Sequence, residues 1–189
     1  DISTWPVSRV PYLLCMFLGA ASFNSDISAW HVTRAKTISQ MFFGATTFNS
    51  DLSKWQVQRI GSMMNVFYNA KSFNQELDSW NVARVTTLRG TFASATAFNQ
   101  EVGSWNVAEV TTLQSAFDHD LKASVFNFNQ ELGSWNVAQV TDLYATFRSA
   151  SVFNQDVGSW NVAKATNMAH TFSTATAFNQ DLGCWAVQD

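Results

Sequence analysis

The sequence predicts a curved α/β solenoid of about seven 25-residue strand–helix coils, and three observations predict it. Tryptophan stands at 5, 30, 55, 80, 105, 135, 160 and 185, so every interval is 25 residues except the 30 between Trp105 and Trp135. A fixed period in this range marks stacked units, none of which can bury its apolar side alone. Valine follows two residues after all eight tryptophans, a period-2 signal for a short strand with both side chains facing inward. From Val85 the apolar residues Leu88, Phe92, Ala95 and Phe98 follow at gaps of 3, 4, 3 and 3, which is the spacing of one helical face.

Each coil is then read in order. Trp80 and Val82 open the fourth coil as its strand, Thr86 stands where a helix N-cap would, and the helix is expected over 87–97, before the polar Asn99. Thr111, Thr141 and Thr166 repeat the cap position. Fourteen of sixteen phenylalanines fall in two columns, one led by Phe17 on the expected helix and one led by Phe23 after it. An aromatic side chain buries roughly 150–250 Å², so these columns and the tryptophans read as core. Strands pair ~4.8 Å apart whereas helices pack ~8–10 Å apart. The stack is therefore expected to curve, with short parallel strands on the concave face and helices on the convex face. One domain covers 1–189, with coils starting near Trp5, Trp30, Trp55, Trp80, Trp105, Trp135 and Trp160 and a five-residue insertion within 118–127.

Composition excludes several classes. With 47% apolar and 13% charged residues the chain can bury a core. A net charge of −3 offers no basis for nucleic-acid binding through counterion release. The halves differ, with eight Lys/Arg against five Asp/Glu in 1–90 and three against nine in 91–189, or +3 and −6. Cys15 and Cys184 fall in the first and last coils, too far apart for a disulfide. No apolar run approaches the ~20 residues of a membrane span. The chain starts at Asp1 with neither methionine nor signal peptide, as a processed or excised piece would.

Two charged columns are the candidates for chemistry. Four residues before each Trp stands an acid: Asp1, Asp26, Asp51, Glu76, Glu101, Glu131, Asp156 and Asp181. Stacked carboxylates repel, so backbone N–H groups of a turn, a neighbouring Arg or a cation must compensate. Asp26, Asp51, Glu76 and Glu101 are the weak metal candidates, the mixture of Asp and Glu speaks against a strict coordination geometry, and no metal or other cofactor is expected. Four residues after Trp come Arg9, Arg34, Arg59 and Arg84, then Glu109, Gln139 and Lys164. This arginine stripe could grip an acidic partner bidentately or neutralise the acids of adjacent coils. With His31 and Lys54 it makes the first coils the most varied part of the concave face, which Asn81, Asn106, Asn136 and Asn161 otherwise line uniformly. The insertion brings Asp118, His119 and Asp120, whose consecutive side chains cannot converge on a metal from a helix, and it reads as an extended helix end available for contacts. Three histidines at unrelated repeat positions, and no phosphate-cradling, zinc-spacing or nucleophile motif, leave no basis for an enzyme.

The run Val102-x-x-Trp105-x-Val107-x-x-Val110-x-x-Leu113 resembles a leucine-rich repeat with aromatic substitutions. More closely, Phe-Asn-Gln-Asp-Leu-Gly-x-Trp-x-Val with its apolar-x-x-x-Phe segment resembles the BspA-like repeats of mycoplasma lipoproteins and other microbial surface proteins, over essentially the whole chain. That resemblance implies an extracellular or cell-surface repeat protein that binds proteins, and it carries no catalytic motif. The expectation is a non-enzymatic, protein-binding or scaffolding surface. One alternative is a structural subunit docking end-on, since neither end has a polar capping repeat. The other is a glycan- or ice-lattice-binding surface built on the Ser/Asn/Ala columns.

Overall fold

The structure, a computed structural model, describes residues 2–119 and 124–185. Its centre is three aromatic columns. Within a repeat the two phenylalanines lie face to face, with ring centroids 3.8 Å apart for Phe17 and Phe23 and 4.0 Å for Phe92 and Phe98. Each column continues into the next repeat at 5.7 Å from Phe67 to Phe92, 6.0 Å from Phe73 to Phe98, and 6.5 Å from Trp105 to Trp135. These rings are almost fully shielded from water through the middle of the stack. At about 25 cal/mol per Å², one Trp and two Phe supply several kcal/mol of burial per repeat.

Each indole also holds a polar bond across the repeat boundary. Trp30, Trp55, Trp80, Trp105, Trp135, Trp160 and Trp185 donate from Nε1 to the carbonyls of Ile2, Ile27, Leu52, Leu77, Val102, Leu132 and Val157 at 2.9–3.1 Å. The asparagine after the second Phe forms a parallel ladder, in which Asn74 N–H donates to Asn49 Oδ1 and Asn99 N–H to Asn74 Oδ1, both at 2.9 Å. Buried backbone polar groups are thus satisfied between repeats.

The expected strand–helix solenoid, with its leucine-rich-repeat features, is overturned. Among the described residues the one helix is a three-residue 3-10 turn, Val7–Arg9. The described residues form no sheet, only six isolated parallel bridges joining Tyr12, Thr37, Ser62, Thr87, Thr112, Asp142 and Asn167 in sequence. The Trp-x-Val segment is a pair of turns, in which Trp80 N–H bonds Leu77 C=O and Val85 N–H bonds Val82 C=O. The 87–97 segment is a series of turns closed over three residues, Thr91 to Leu88, Ala95 to Phe92 and Phe98 to Ala95. Successive turns place an apolar residue every three or four positions, as a helix does, so apolar spacing could not tell them apart.

Backbone handedness makes the difference. Gly90 and Ser94 have φ of +59° and +55°, which ends any right-handed helix and swings alternate N–H groups out of the coil. Leu88, Gly90, Phe92 and Ser94 then donate to Thr112, Gln114, Ala116 and Asp118 of the next repeat at 2.8–3.2 Å. The same left-handed position recurs at Cys15, Gln40, Asn65, Ser115, Ala145 and His170. Such a conformation costs a non-glycine residue about 1–2 kcal/mol, offset here by the bonds it aims. Thr86, Thr111, Thr141 and Thr166, expected as helix caps, instead donate both N–H and hydroxyl to a carbonyl one repeat back. Without a helix layer, the spacing mismatch that called for concave and convex faces is absent.

Candidate functional site

Arg9, Arg34, Arg59 and Arg84 are all exposed. Further along the same column Lys164 Nζ donates to Gln139 Oε1 at 2.6 Å, so occupants of this position in adjacent repeats touch. Among the described residues the one ion pair joins Arg148 to Asp118. Among the described residues, none of the four arginines therefore pairs with a carboxylate.

His31 is exposed. Lys54 belongs with the acids rather than the arginines, because its charge adds to the forces that hold Asp26 and Asp51 ionised. Asn81, Asn106, Asn136 and Asn161 are exposed, but each side-chain oxygen accepts the N–H two residues on, from Ala83, Ala108, Ala138 and Ala163, at 3.2 Å. Their acceptor capacity is already engaged in turns.

The acid column divides by residue type. Asp26 and Asp51 accept the N–H of Ser28 and Ser53 at 2.9 and 2.8 Å, and Asp156 and Asp181 those of Gly158 and Gly183 at 2.8 Å. These backbone bonds, helped by the serine hydroxyls, hold Asp26 and Asp51 below the usual carboxylate range. Glutamate is one methylene longer and does not close this turn. Glu76, Glu101 and Glu131 are exposed, and their carboxylates accept no hydrogen bond among the described residues. Glu101 and Glu131 line a groove of about 830 Å³ with Asp78 and Asp156, and Glu76 lines its continuation of about 370 Å³. No cluster of three metal-ligating side chains occurs among the described residues, so Asp26, Asp51, Glu76 and Glu101 are not gathered into a ligand set.

The insertion corrects another expectation. Asp118 and His119 are buried rather than presented on a helix end, and Asp120 lies outside the described residues. Asp118 accepts both Nε and Nη2 of Arg148 at 2.9 and 2.7 Å. His119 Nε2 donates to the carbonyl of Ser124 at 2.6 Å, leaving a buried Nδ1 without a partner. Phe117 and Phe128 remain paired at 4.2 Å despite the extra residues. Reading the columns for the Asp118–Arg148 pair would have found it, since both residues directly follow a column phenylalanine in adjacent repeats. A separate apolar cleft of about 410 Å³ lies around Trp5, Tyr12, Leu14 and Met16.

Comparison with known proteins agrees with the repeat and adds no activity. The family described as "Mycoplasma protein of unknown function, DUF285" matches three times, at residues 1–73, 51–127 and 120–189. No curated protein matches the chain. No solved structure matches it either. Covered from end to end by three overlapping copies of that match, the chain belongs to the DUF285 family of repeat proteins.

Proposed function

We propose that this is a non-enzymatic repeat protein whose arginine column binds an acidic partner. The observation that carries the reading is the stacking of Arg9, Arg34, Arg59 and Arg84 in consecutive repeats, exposed and without a carboxylate partner among the described residues. Like charges facing one another across adjacent chain segments destabilise a fold. A column of four costs stability that any neutral residue would spare, so its benefit lies outside the fold. Guanidinium groups offer paired donors matched to carboxylates. Display at the cell surface is part of the proposal and rests on the resemblance to BspA-like surface repeats.

The test is capture of partners by the wild-type chain beside an Arg34→Glu/Arg59→Glu/Arg84→Glu variant, with circular dichroism confirming that the variant keeps its fold. A partner retained by wild type and lost by the variant supports the reading. Equal capture by both overturns it.

A further inference from the structure

The chemistry of the partner can be taken further on the basis of that reading. Among the described residues, four arginines stand in one column without carboxylates, and Glu76, Glu101 and Glu131 stand in another without donors, along a groove of about 830 Å³ and its continuation of about 370 Å³. Net charge is segregated along the chain, +3 in residues 1–90 and −6 in 91–189, with Glu101 and Glu131 in the acidic half and Glu76 just before Arg84. Asp26 and Asp51, which stand beside the arginine-bearing repeats, are compensated by their own turns and by Lys54. The later glutamates are not.

Spacing selects among acidic partners. Both columns are built on the same repeat, whose parallel bridges set neighbouring backbones ~4.8 Å apart. An extended acidic peptide presents same-face carboxylates every ~6.6–6.8 Å, so it drifts by nearly a full step over three contacts. The glutamate column of this protein has the arginine column's own rise and does not drift. We propose that the chain associates laterally with a second copy of itself, the arginine column of one molecule lying along the Glu76–Glu101–Glu131 column of the other. When Arg59 meets Glu101, the flanking arginines and glutamates fall into register in either direction. The contact is heterologous, and one such contact leaves an arginine column on one molecule and a glutamate column on the other for further copies.

Sedimentation of the purified chain tests this. At low ionic strength, about 20–50 mM, wild type is expected to sediment at twice the monomer mass or more and to revert to monomer near 0.5 M salt, where screening shortens the Debye length to a few ångströms. Arg34→Glu/Arg59→Glu/Arg84→Glu and Glu76→Lys/Glu101→Lys/Glu131→Lys are each expected to remain monomeric, and an equimolar mixture of the two to associate. Lys36→Glu/Lys71→Glu/Arg89→Glu has the same net charge as the first variant but an intact arginine column, and is expected to associate with the lysine variant no better than wild type does. Circular dichroism confirms that each variant folds.

A monomeric wild type at low salt overturns the inference, as does unchanged association of either reversed variant or a mixture that fails to associate. If wild type is monomeric but binds a sulfated polysaccharide through the same arginines, the partner is a linear polyanion instead. If wild type is monomeric while the arginine variant still loses a captured partner, self-pairing is wrong and the arginine-column reading stands. If no assay responds to the arginines, both are wrong.

Discussion

One methylene separates the two behaviours of the acid column. Asp51 closes a two-residue turn onto the Ser53 N–H, whereas Glu76, Glu101 and Glu131 leave their carboxylates in solvent. Asp51 is held below its ordinary value near 3.8, chiefly by that backbone bond and then by the Ser53 hydroxyl, with Lys54 adding to both; Asp26 is held down in the same way by Ser28. A carboxyl depressed in the folded state contributes stability above its unfolded value and loses it as pH falls through the folded value. The midpoint of urea denaturation should therefore fall as pH drops below about 4. Asp51→Asn, which can still accept the Ser53 N–H, should lose less over the same interval. A variant that tracks wild type would show that the Asp51 charge contributes nothing.

The repeat is the element of this fold, held by turn bonds inside it and by bonds that cross to its neighbours on both sides. Turns closed over three residues use part of the N–H groups, the left-handed positions aim others at the next repeat, and those of Thr86 and Ala97 donate one repeat back. The indole is the polar part of that seam, since Trp105 Nε1 donates to the buried carbonyl of Leu77 at 2.9 Å. Trp105→Phe keeps an aromatic ring in the column and removes one of the two bonds to that carbonyl, leaving the Trp80 N–H in place. It should destabilise the chain by about 0.5–1.5 kcal/mol, the net worth of one hydrogen bond, measured by chemical denaturation. A loss below a few tenths of a kcal/mol would mean that the indole bond adds nothing to the Trp80 one.

At the scale of the whole molecule, nearly every contact runs between adjacent repeats. Stability in such a stack is approximately a sum of repeat terms and nearest-neighbour terms. Phe92 sits near the middle and touches Phe67, Phe98, Trp105 and Phe117. Phe92→Ala should cost about 3–5 kcal/mol and weaken the coupling between the flanking halves. The expected outcome is an unfolding curve that broadens or splits into two phases, followed by tryptophan fluorescence. A single transition, displaced but as steep as in wild type, would show that coupling does not depend on this ring.

The tryptophan period, the two phenylalanine columns and the segregation of charge were legible in the sequence, because the spacing of identical residues is preserved when units stack. The mode of chain folding was not. Gaps of three and four arise from a helix and from consecutive turns alike, and the choice was made by left-handed residues such as Gln40, Ser115 and Ala145, whose side chains do not advertise that conformation. It is favourable only once a neighbouring repeat supplies carbonyls to receive the redirected N–H groups. Likewise the sequence by itself determined that arginines and acids form columns. Only the tertiary structure decided which acids satisfy their own turns, that Asp118 belongs to Arg148, and that the four column arginines pair with no carboxylate among the described residues, because those outcomes depend on reach across repeats rather than on order along the chain.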